Sequence, residues 1–158
     1  MRRDARAAAR REDGSASIEF VALTLVLLVP LLALAVMVTR IQSAAYAAEA
    51  AASAASRAAV VAGLDALAEG ADDAEALAGA HQDASLAAAL VAEDFGWGTS
   101  LEVALTCEGA CLAPGTSVSA RAAVEVPLPG VPSFVQAMVP ATLTIEAVAS
   151  SPVDGYAP

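Results

Sequence analysis

Residues 14–40 read GSASIEFVALTLVLLVPLLALAVMVTR, and the run 20–39 inside that stretch carries no charge. Its length matches the ~20 residues that a helix needs to cross a bilayer core. Fourteen of the twenty positions are Leu, Val, Phe or Met, each contributing roughly −0.3 to −0.6 kcal/mol of insertion free energy near the helix centre. The sum is favourable by several kcal/mol. Glu19 stands at the edge of the run, where its carboxylate reaches the headgroups and avoids most of the ~2.5 to 3.5 kcal/mol that an acid costs at mid-bilayer. The stretch therefore reads as a transmembrane helix over 15–40.

Charge is distributed unevenly around this helix. Before Gly14 stand five arginines (Arg2, Arg3, Arg6, Arg10, Arg11) against Asp4, Glu12 and Asp13; beyond 39 stand only Arg40, Arg57 and Arg121 against fourteen acids. The positive-inside rule then puts a basic leader, residues 1–14, in the cytoplasm and everything after Arg40 outside it. The acidic exterior lacks the clustered Lys or Arg that nucleic-acid binding requires, which excludes that class.

Past the apolar run, residues 41–94 are rich in alanine, which supplies helix propensity but little area to bury. No breaker occurs before Gly63, so the first helix extends outward. Ala44, Ala48 and Ala52 recur every four residues, a spacing that lets helices approach closely and suits packing against other subunits. Alanine is frequent enough here for composition alone to generate the same spacing. Gly63 and Gly70 bracket a short segment, and Asp72 or Asp73 opens a second alanine-rich helix to about Asp94, with acids at its positive end.

Phe95-Gly96-Trp97-Gly98 ends that helix, and the periodicity changes to two. Leu101, Val103 and Leu105 alternate with Glu102, Ala104 and Thr106; Val118 to Val126 alternate with Ser119, Arg121 and Glu125; a weaker alternation follows over 142–149. The expectation is a small β-rich domain over 95–150, with 151–158 as a peripheral tail. Helices first and an antiparallel sheet after give an α+β fold.

Cys107 and Cys111 fall in the exterior portion, where disulfides persist. A bridge between them closes a short loop and stabilises by roughly 2 kcal/mol on the loop-entropy model. Two cysteines and the distant His81 fall short of the four ligands of a structural zinc site. His81 has no neighbouring nucleophile, and no phosphate loop or metal cluster appears, so neither an enzyme nor a cofactor or small-molecule substrate is expected.

Gly14, the small residues after it, Glu19-Phe20 and the leucine-rich run together resemble the processing site of type IV prepilins. The extended match Gly-Ser-Ala-Ser-Ile-Glu-Phe-Val-Ala-Leu is similar to the TadE-like family of minor pilins or pseudopilins of the tight-adherence, Flp-type branch. The resemblance covers about the first third of the chain; Pro30 lies further into the helix than the proline of that family. It implies cleavage by a prepilin peptidase between Gly14 and Ser15, and a role in pilus assembly in which Glu19 neutralises the new amine of a neighbouring subunit. It also implies a long pilin-like first helix, other pilins as partners, and a single-pass location in the bacterial cell membrane or a surface pilus.

Two other readings compete. Ala45-Tyr46-Ala47 is an A-x-A pattern that a signal peptidase would cut before Ala48, although the apolar run exceeds the roughly 7–15 residues of a signal h-region. An uncut single-pass protein presenting an extracytoplasmic binding domain is the other. Gly14 to Glu19 also fit a plain helix start, with Ser15 or Ser17 as N-cap.

Overall fold

The computed structural model describes residues 16–107, 109–128 and 141–154. The elements run α1 (Arg2–Ala68), α2 (Asp73–Asp94), a 3-10 turn at Gly98–Ser100, then β1 (Leu101–Cys107), β2 (Ser117–Pro127) and β3 (Thr142–Pro152). This is the α+β order that the hydropathy pattern predicts. The chain divides into two compact units, Met1–Thr39 and Arg40–Pro158.

Both helices stop by the same device. At the end of α1 the N–H of Gly70 bonds to the carbonyl of Leu67 (3.1 Å) and that of Ala71 to Ala66 (3.0 Å). At the end of α2 Gly96 bonds to Glu93 (2.8 Å) and Trp97 to Ala92 (2.8 Å). These are paired Schellman bonds, which need a left-handed residue just past the helix; Gly70 (φ +92°) and Gly96 (φ +79°) provide it. The start of α2 is fixed by Asp72, whose carboxylate accepts from the N–H groups of Ala74 (3.0 Å) and Glu75 (2.9 Å).

In the Arg40–Pro158 unit the sheet has the order β1-β2-β3, antiparallel throughout. Alternation decides which face is covered: Val118, Ala120, Ala122, Val124 and Val126 of β2 are buried, while Arg121 and Glu125 face solvent. Against the covered face pack alanines of α1 and α2. Ala44 and Ala48 cluster with Val124 and Val126. Ala51, Ala52, Ala55 and Ala59 join Ala76, Ala80, Ala84 and Ala88 of α2 around Val118, Ala120 and Ala122. The buried residues of α2 are all alanines four apart, Ala76 to Ala92, so on that side nothing larger than a methyl faces the core, and the larger groups there, Val60, Leu64 and Leu67, come from α1. Among the described residues one buried polar pair joins helix to sheet, Ser56 Oγ and Ser151 Oγ at 3.0 Å.

Three expectations from the sequence change. Gly63 does not end the first helix: α1 passes through it to Ala68, and Gly63 is a notch that receives Leu112. A Cβ placed there would stand 2.5 Å from Leu112 Cδ1 and 2.7 Å from Cδ2. The face formed by Ala44, Ala48 and Ala52 is fully buried inside its own unit, so the four-residue spacing serves the chain's own sheet and second helix rather than other subunits. The tail is not peripheral from 151: β3 continues to Pro152, Ser151 is buried, and Val153 N–H bonds to the Thr116 carbonyl at 2.9 Å with its side chain buried. Serines and a proline hid the end of the strand because each serine finds its hydroxyl partner elsewhere in the chain, Ser151 on Ser56 of α1 and Ser150 on Ser119 of β2 (2.8 Å).

Candidate functional site: the acidic residue at the head of the apolar helix

The residues on which the pilin resemblance rests divide in two. Gly14 and Ser15, the expected cleavage position, lie outside the described residues. Glu19 and Phe20 lie on α1, both exposed, Phe20 at 70 %. Glu19 is the one ionisable side chain in residues 16–39; Ala22 and Leu23 lie a turn further on beside it. Any cation that pairs with this carboxylate comes from outside that segment.

Downstream of Glu19 the helix leaves its apolar side chains uncovered. From Ile18 to Val38 the leucines, the valines, Ile18 and Phe20 are 44–72 % exposed, Met37 alone among the large side chains is half-buried, and none of the most apolar 18-residue window is buried. Exposure is not confined to one stripe, as it is on an amphipathic surface helix; the surface is apolar all round, the pattern of a helix solvated by lipid or by other apolar helices. The helix is long and apolar enough to cross a membrane, and it is consistent with a membrane location.

Its two threonine hydroxyls are satisfied within the helix. Thr24 Oγ1 donates to the Phe20 carbonyl (2.8 Å) and Thr39 Oγ1 to the Ala35 carbonyl (2.9 Å). Hydroxyls that bond back to their own helix need no water. Pro30 lies inside α1 without ending it. It has no N–H to offer the carbonyl of Val26, four residues earlier, which leaves one weak point in the ladder.

Cys107 and Cys111 are joined by a disulfide, with their Cα atoms 5.3 Å apart. The residue that follows the bridge, Leu112, has φ +61° and is 5 % exposed. A left-handed leucine is unfavourable by itself; burial on Gly63 of α1 holds it there. No sequence signal marks this pairing, since Gly63 alone reads as a stop and Leu112 as part of a turn.

Among the described residues no group of three or more His, Cys, Asp or Glu is placed to hold a metal ion. His81 is exposed on α2. Two contacts that sequence reasoning missed fasten α1 to the rest of its unit: the Ser56–Ser151 pair, and a bond from Trp97 Nε1–H to Ser43 Oγ at 3.2 Å. Compared with family models, curated proteins and solved structures, the chain matches none.

Proposed function

We propose that the chain is a minor pilin or pseudopilin of a tight-adherence, Flp-type pilus or a related secretion system, acting in pilus assembly. The observation that carries this reading is the spacing of Gly14, Glu19 and Phe20 at the head of an apolar helix that the chain's own fold leaves uncovered. A prepilin peptidase cuts between Gly14 and Ser15. The helix anchors the subunit in the bacterial cell membrane with its leader inside and the Arg40–Pro158 unit outside, in keeping with the charge asymmetry. Glu19, an acid with no cation in its own segment, pairs with the new amine of a neighbouring subunit. Chemistry belongs to the partners, namely the peptidase and the other pilins.

Burial weighs against the signal-peptide alternative. A cut before Ala48 would discard Ala44 and Ala47, both fully buried, and Ser43, the partner of the Trp97 indole. The β-rich unit would lose part of its own core.

The test is the N-terminus of the protein isolated from its own membranes, read by intact mass. The expected start is Ser15, lost when Gly14 is replaced by leucine. A start at Ala48 overturns the proposal; an uncut chain overturns processing and leaves a plain membrane-anchored domain.

A further inference from the structure

All Phe, Tyr and Trp side chains among the described residues sit beside the ends of the 20–39 run. Phe20 is at its start, and Tyr46, Phe95 and Trp97 belong to the Arg40–Pro158 unit. Chain connectivity places the latter three near the run's other end, whatever the attitude of the unit. Ser43 is four residues past Thr39, so it lies within ~14 Å even of a fully extended chain and about 6 Å along a helix. The Trp97 indole donates to its hydroxyl. Tyr46 is one helical turn beyond Ser43 and 63 % exposed, and Phe95, two residues before Trp97, is 41 % exposed. Arg40, exposed, is the first charge after the run.

We propose that this end of the folded unit is a membrane-seating surface: Tyr46, Phe95 and Trp97 rest among lipid headgroups while Arg40 meets their phosphates. Singly exposed aromatics are ordinary on a protein surface. Here Phe95 and the half-buried Trp97 stand two residues apart, and the Trp97–Ser43 bond ties them to the stretch of α1 that carries Tyr46, just past the apolar run; amphipathic rings concentrate at the headgroup level of a bilayer. Neighbouring carboxylates set the depth. Glu49, Glu93 and Asp94 are exposed close by in sequence, so the contact stays in the wet headgroup layer. The unit's three arginines against fourteen acids favour a zwitterionic over an anionic surface. The seat would hold the subunit against the bilayer before assembly lifts it away. The inference rests on reading the 16–39 helix as a membrane span.

Trp97 is the only tryptophan in the chain, which makes it the reporter. The full chain is reconstituted in phosphatidylcholine vesicles with a nitroxide either on the choline headgroup or at the acyl-chain terminus. Headgroup label is expected to remove most Trp97 emission, chain-terminal label little, and a rising share of anionic lipid is expected to weaken the headgroup quenching. As a control, tryptophan is moved to Val61 in a Trp97→Phe background. Val61 is 60 % exposed and about 27 Å further along α1 than Ser43; it is expected to stay unquenched. Tyr46→Ser and Phe95→Ser are expected to lower Trp97 quenching while the protein still floats with the vesicles. Flotation with undiminished quenching in both variants overturns the aromatic seat and leaves proximity through the tether alone. Flotation without headgroup quenching in the unsubstituted chain overturns it outright. Failure to float overturns the membrane reading itself.

Discussion

Two stretches of α1 show inverted relations between side-chain size and burial. In residues 16–39 half of the side chains are leucine or valine, and these are exposed. In the stretch 40–68 the buried residues are mostly alanine, and Ala44, Ala47, Ala48, Ala51, Ala52, Ala55 and Ala59 are each 0 % exposed. A helix in water buries its largest apolar groups first, because the stabilisation scales with area, about 25 cal/mol per Å². The second stretch obeys that rule with what little it has. The first violates it at every turn, which is the behaviour of a segment whose solvent is not water. Close packing matters in the second stretch and apolarity in the first, so the two should respond to opposite kinds of substitution.

The largest expected effect comes from a charge in the first stretch. Leu28→Arg places a guanidinium near the middle of the apolar run, where insertion scales assign it roughly 3 kcal/mol. Membrane partition of the full chain should fall by about two powers of ten on the usual conversion of free energy to equilibrium constant. Circular dichroism of the β-rich unit and the Cys107–Cys111 bridge should be unchanged. If the sheet unfolds as well, the two stretches are not independent and the comparison fails. Leu28→Ala, which keeps the segment apolar, should leave both readouts nearly as they were.

Ala52→Leu reverses the logic. Adding leucine to 16–39 would improve that segment, but at Ala52 the site is fully buried in the cluster shared with α2 and β2. Overpacking a filled core costs roughly 1–3 kcal/mol. The expected result is a lower unfolding midpoint of the Arg40–Pro158 unit, with vesicle flotation unaltered. An unchanged midpoint would mean that the alanine face is loosely filled and that its small size has another cause.

Element order was legible in the sequence because each element has a local cause. The charge-free run, the acids opening α2, the glycines after both helices and the two-residue alternation of β1 and β2 all act over a few positions. What was not legible depends on pairs far apart in the chain. Ser151 reads as tail until Ser56 is seen opposite it, Gly63 reads as a stop until Leu112 is seen above it, and the spacing from Ala44 to Ala52 names a close contact without naming the partner. At the candidate site the sequence carries nearly the whole reading. The fold adds that the helix after Glu19 is left uncovered, and Gly14 and Ser15 lie beyond what it describes.

The smallest effect isolates one of those distant pairs, through a sign. Glycine inside a helix is less favourable than alanine by about 1 kcal/mol, so Gly63→Ala should stabilise α1 if only the helix mattered. The new methyl would stand 2.5 Å from Leu112 Cδ1, and Leu112, 5 % exposed with φ +61°, has little freedom to retreat. The clash should outweigh the propensity and leave the single substitution destabilising by about 1 kcal/mol. Leu112→Ala alone opens a cavity and should lose more, roughly 2 to 3 kcal/mol. In that background Gly63→Ala meets no leucine, the propensity acts alone, and the same substitution should become stabilising by about 1 kcal/mol. Denaturant unfolding of all four proteins measures the coupling directly. If Gly63→Ala has the same sign with and without Leu112, the notch is not what keeps glycine in the helix, and this stretch of α1 is less tightly fitted than its buried alanines imply.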